Sequence, residues 1–120
     1  MREEVRRWFD KAKDDLRKAK DNFNIRNYDL VCFLCQQAVE KALKAILIKK
    51  TGRSSRIHDL VRLGKIVDIH QNFREGIKEL SLAYIYTRYP DVKQEPNLKG
   101  KAIKFLELSK NILKWVEKNL

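Results

Sequence analysis

Residues 30–50 read LVCFLCQQAVEKALKAILIKK, and this stretch decides the architecture. On a helix, Leu30, Val31, Phe33, Leu34, Ala38, Val39, Ala42, Leu43, Ala45, Ile46 and Leu47 cover most of the circumference and leave Gln37, Glu40, Lys41 and Lys44 as a narrow polar stripe. A helix of this kind has to lie at the centre of a bundle or meet a partner. Thr51-Gly52 ends it, because glycine adopts the left-handed conformation that helix ends favour. Asn27 or Asp29 is expected to cap its start. Gln36, Gln37 and Glu40 interrupt the apolar run well short of the ~20 residues that cross a bilayer, so no membrane span is expected.

The flanking sequence is helical too. Before this stretch, Val5, Trp8, Ala12, Leu16, Ala19 and Phe23 recur at steps of three and four, which gives a first helix from about Arg2 to Phe23. After it, His58-Asp59-Leu60 opens a short third helix with Leu60, Leu63 and Val67 facing inward. Phe73, Ile77, Leu80 and Tyr84 set the inner face of a fourth helix reaching about Thr87, closed by Pro90. Asp91 to Leu98 reads as a loop, and Ala102, Phe105, Leu106, Ile112, Leu113, Val116 and Leu120 mark a long last helix. No period-two alternation and no repeat occur, so the 120 residues read as one all-α domain, an antiparallel up-and-down bundle of four to five helices. The start, MREEVRRWFD, lacks an apolar core of signal-peptide type, so a cytoplasmic location is expected.

Twenty-seven Lys and Arg against sixteen Asp and Glu leave a formal charge of +11, which favours polyanionic partners such as nucleic acid or a nucleotide, or an acidic protein. A lysine-rich surface of a heat-adapted protein gives the same total. The distribution is more informative: from Lys41 to Lys65 there are eight basic residues, among them Lys44, Arg53 and Arg56, and one acid, Asp59. Clustered charge of this kind can hold phosphate. Cys32 and Cys35 lie inside the apolar helix with no preceding strand, so they read as buried thiols, and neither a metal nor a cofactor is expected.

The segment Tyr84-Ile85-Tyr86-Thr87-Arg88-Tyr89-Pro90-Asp91 collects three tyrosines, an arginine and an aspartate at a helix end. Aromatic rings can stack on a base, the guanidinium fork can hold phosphate and Asp91 can orient it. The structural alternative puts Tyr84 in the core and pairs Arg88 with Asp91 as a local cap.

Four ordered pieces resemble the HEPN family of small helical domains. They are Trp8 with Ala12 and Asp15-Leu16, the run Gln36 to Ala45, His58-Asp59-Leu60, and Tyr84 with Arg88-Tyr89-Pro90-Asp91, and together they span nearly the whole chain. The resemblance implies a homodimeric bundle that binds a nucleotide or RNA through Tyr84, Arg88, Tyr89 and Asp91, with Lys44, Arg53 and Arg56 nearby. It also implies a minimal nucleotidyltransferase as partner, in a toxin–antitoxin-like pair. Other members of the family are metal-independent RNases that carry an arginine followed after four to six residues by a histidine, before the last helix. Arg88 stands at that place, but Tyr89 to Lys101 contains no histidine. His58 is the one candidate base to accompany Arg88 as catalytic pair, and it reads equally as a buried histidine fixing its loop. A direct RNase and a non-catalytic interaction module therefore stand as the alternatives to nucleotide binding.

Overall fold

The computed structural model describes residues 2–120, and among them every regular element is helical. Helix α1 spans Glu3–Asn24, α2 Tyr28–Thr51, α3 Leu60–Ile66, α4 Arg74–Tyr86 and α5 Leu98–Lys118, with a single 3-10 turn, Gln71–Phe73, leading into α4. The number and order of helices match the sequence reading.

Helix α2 is the axis of the bundle. It packs against α1, α3, α4 and α5. Val31, Ala38, Val39, Ala42, Leu43, Ala45 and Ile48 are wholly buried, and they are met by Ala12 and Ala19 of α1, Leu80 and Ala83 of α4 and Phe105 and Ile112 of α5. Its apolar girth is therefore covered within one chain. A second copy is not needed to explain it, which removes that ground for a dimer.

Ties between helices set their directions. Asp15 of α1 receives Lys41 of α2, Lys44 lies over the Trp8 ring, and Gly52 at the end of α2 lies beside Arg2, so α1 and α2 run antiparallel. Glu79 of α4 binds Lys101 and Lys104 near the start of α5, while Gly76, a turn earlier, meets Leu108 further along, so α4 and α5 are antiparallel as well. A Cβ on Gly76 would come within 2.8 Å of the Leu108 methyl groups, so the two helices cross closely here. Lys49 Nζ reaches the Asn119 carbonyl at 3.1 Å, and Ser109 Oγ donates to the Cys35 carbonyl, so α2 and α5 run parallel across the bundle.

The helix ends follow local chemistry, with one correction. Gly52 takes φ 75° at the end of α2, as its sequence position requires. Asp59 caps α3 by accepting from the amides of Val61 and Arg62. Asn27 precedes α2 but caps no amide with its side chain, which instead donates to Asn22 Oδ1, and Asp29 lies one residue inside the helix. The connection turns at Arg26, whose φ is 61°, and that bend points the Asn27 amide back at α1.

Leu43 is wholly buried at the centre of α2, whereas Ile103 is 53% exposed on α5. Leu43→Ala is expected to cost about 3 kcal/mol of unfolding free energy, and Ile103→Ala about 0.5 kcal/mol or less, read from urea midpoints.

Candidate functional site

Helix α4 ends beside the start of α2, and this is where the aromatic and basic residues of residues 84–91 come together. Ala83 takes the buried position, so Tyr84 is half-buried at the surface rather than part of the core stripe. Its ring lies 6.3 Å from that of Phe33 on α2. The Arg88 guanidinium sits 4.7 Å from the Tyr84 ring centroid, 5.7 Å from Phe33 and 5.9 Å from Tyr89. Three electron-rich faces thus hold the cation while its N–H edge stays free to bind. Arginine salt bridges among the described residues involve only Arg2, Arg17 and Arg74, so Arg88 carries no carboxylate partner, Asp91 included. A shallow pocket of about 330 Å³ opens at Arg88, with Asn27, Asp29, Phe33 and Thr87 around it.

His58 belongs to the other half of α2. The extended loop after Gly52 folds back along the helix and brings His58 Nδ1 to 3.1 Å from Glu40 Oε2. Lys44 Nζ lies 3.4 Å from the same carboxylate oxygen, 3.3 Å from His58 Nδ1 and 5.3 Å from the Trp8 ring centroid. Glu40 and Lys44 are almost fully shielded, but the His58 side chain is 71% exposed. His58 is therefore an exposed imidazole on a buried anchor, not a buried histidine.

A groove of about 380 Å³ lies on the His58 side, and Tyr84 in its wall separates it from the pocket at Arg88. Gln36, His58, Ser81, Tyr84 and Ile85 line the groove, so Tyr84 faces His58 through one side of its surroundings and carries Arg88 on its ring. The anchor points, Phe33 for Arg88 and Glu40 for His58, are two helical turns apart, about 10 Å along α2.

The remaining sequence candidates are dispersed. Lys44 is 3% exposed and neutralises Glu40, so it is not a surface cation for a phosphate. Arg53 is exposed just past the far end of α2, on the order of 28 Å from Phe33 by helix rise, whereas Arg56 is exposed on the returning loop, two residues before His58. Tyr89 is 45% exposed, and Asp91 is exposed without touching Arg88. Phe33, Glu40 and Trp8 complete the arrangement and were not among the site residues expected from sequence, where Phe33 counted as apolar girth, Glu40 as part of the polar stripe and Trp8 as first-helix apolar face, the last two also within the HEPN-like pieces. The spacing of Glu40 and Lys44, i and i+4, was the available signal.

Cys32 and Cys35 are both buried, and burial pushes each thiol up to about 12, which leaves them protonated and unreactive at neutral pH. No helix among the described residues is long and apolar enough to cross a membrane.

Residues 5–119 match the HEPN domain family. The chain belongs to the HEPN family. Two solved structures are similar to this HEPN domain along its whole length. TT1696 from Thermus thermophilus has TM-score 0.88 at 30% identity, with 99% of this chain and 100% of that one covered. ST0689, an archaeal HEPN homologue, has TM-score 0.78 at 28% identity, with 98% of each chain covered. No curated protein matches the chain.

The Glu40–Lys44 pair makes a direct prediction about stability. Lys44→Met alone strands a buried carboxylate and should cost about 3 kcal/mol, whereas Glu40→Gln with Lys44→Met should cost roughly half of that or less, by urea denaturation.

Proposed function

We propose that this HEPN domain binds a nucleotide or RNA at the groove between α2 and α4, with phosphate on Arg88 and a base on Tyr84 or Tyr89. The observation that carries this reading is the Arg88 guanidinium, held by three aromatic faces and left without a carboxylate. Most arginines among the described residues also lack a carboxylate, so the distinguishing feature of Arg88 is free N–H groups held beside exposed rings, which suit a ligand with both charge and a planar face. A net charge of +11 supports attraction of the same class of ligand.

Family membership further supports a minimal nucleotidyltransferase as the partner, in a toxin–antitoxin-like pair. A nucleotidyltransferase encoded beside this chain and co-purifying with it is the expected finding. A second reading, a metal-independent RNase, is favoured by His58, whose exposed imidazole is anchored at Nδ1 on Glu40 in the manner of a general base. Under that reading, RNA is cleaved in the presence of EDTA, and His58→Ala and Arg88→Ala each abolish cleavage.

Titration with ATP and with a short single-stranded RNA at low and moderate salt tests the binding. RNA affinity should fall steeply as salt rises, and Arg88→Ala should weaken it roughly ten-fold or more. No binding to either at low salt removes the reading.

The same domain is proposed to act as a homodimer through α4. Leu82 and Ile85 on its C-terminal half, with Tyr89 just past its end, are 58%, 44% and 45% exposed, which forms an apolar ridge beside Arg88. Sedimentation is expected to give a dimer for the unaltered chain and a monomer for Leu82→Glu combined with Ile85→Glu. An unaltered chain that sediments as a monomer overturns this part.

A further inference from the structure

His58 and His70 are the only histidines of the chain, and their hydrogen bonds are of opposite kinds. His70 Nδ1 accepts from the Asn72 amide at 3.1 Å, so its proton sits on Nε2. His58 Nδ1 instead faces Glu40 Oε2 at 3.1 Å. An ionised carboxylate only accepts, so a proton has to lie between the two atoms; without it, two lone pairs would oppose each other where Glu40 is shielded from water.

Lys44 competes for the same nitrogen, with Nζ 3.3 Å from His58 Nδ1 and 3.4 Å from Glu40 Oε2. Its ammonium only donates, and a charge-assisted bond to the carboxylate is about twice as strong as one to a neutral acceptor. With its remaining side over the Trp8 ring, Lys44 therefore serves Glu40 and leaves the imidazole proton on Nδ1. In a neutral imidazole protonated at Nδ1, Nε2 carries a bare lone pair and acts as an acceptor. That ring is exposed and lines the groove with Gln36, Ser81 and Tyr84.

We propose that Glu40 is a positioning residue that fixes the Nδ1–H tautomer of His58, so that Nε2 accepts a hydrogen bond from a ribose 2′-hydroxyl and the groove selects RNA over DNA. This rests on the nucleotide-binding reading and specifies its ligand. Phosphate recognition alone needs donors and does not distinguish the two nucleic acids, whereas an acceptor aimed at the sugar meets the one group that DNA lacks. The two-turn separation of the anchors assigns the phosphate on Arg88 and the ribose at His58 to neighbouring nucleotides of one strand.

Two measurements on the full chain test this. Long-range proton–nitrogen correlation at pH 8 should show His58 protonated at Nδ1 and His70 at Nε2, each serving as reference for the other, with His58→Ala assigning the signals. Protonation of His58 at Nε2 overturns the proposal. Fluorescence anisotropy with an adenine-only RNA strand and its deoxy counterpart should give RNA roughly three- to ten-fold tighter binding, the range expected for one hydrogen bond.

The ratio of RNA to DNA affinity should fall to about one in His58→Ala and in Glu40→Gln with Lys44→Met, where the glutamine amide can donate to Nδ1 and reverse the tautomer. Equal affinity for the two strands in the unaltered protein, or a preference that survives both variants, overturns the proposal. If neither strand binds, the nucleotide reading fails and ribose selection with it, while the His58 tautomer still reports separately on the Glu40 anchor.

Discussion

A 24-residue helix that is apolar on nearly every side cannot be left at a surface, and the removal of α2 from water shapes the rest of the molecule. Four other helices are arranged so that their apolar stripes close over it. The enclosure also covers the polar positions of α2. Gln36, Glu40 and Lys44 end up buried with their apolar neighbours, and buried polar groups need partners. Glu40 and Lys44 therefore neutralise each other, and Lys41 neutralises Asp15 from α1. His58 is drawn from its loop to the same carboxylate, so an anchored imidazole follows from packing that is, at root, hydrophobic.

On the Arg88 side of Tyr84 the physics is different. Arg88 is not buried and is not neutralised; aromatic quadrupoles hold it in place, and these orient a guanidinium without consuming its hydrogen-bond donors. One α2 face thus presents a donor-rich cation near its start and an anchored imidazole two turns on, with the Tyr84 ring between them. Of the loop arginines, Arg53 lies beyond the opposite end of the helix, while Arg56 is on the stretch that returns to His58. Proximity along the chain misleads here because the basic segment runs over the end of a long rod.

Helix number, order and most boundaries were legible in the sequence, since a 3.6-residue period over thirteen or more residues is a strong signal for the four long helices and His58-Asp59-Leu60 marks the start of the seven-residue α3. Gly52 and Asp59 were legible for the same reason, as their roles depend on backbone geometry within a few residues. Tyr84 was harder to place. Steps of three and four tolerate an offset of one residue, and the structure buries Ala83 and turns Tyr84 to the groove. The capping role of Asn27 failed because the turn at Arg26 directs its side chain to Asn22.

From the sequence alone come the all-helical bundle, its apolar central helix, its charge and the Tyr84 to Asp91 cluster as a candidate site. All of these depend on short-range periodicity, backbone preference or composition. Only the tertiary structure decided that the girth of α2 is satisfied inside one chain, that Lys44 is an internal counter-ion, that Phe33 helps to cradle Arg88 and that Glu40 holds His58. Each of those depends on groups far apart in sequence meeting across helices in a medium from which water has been removed, and desolvation is a property of the folded packing that no local pattern of residues encodes.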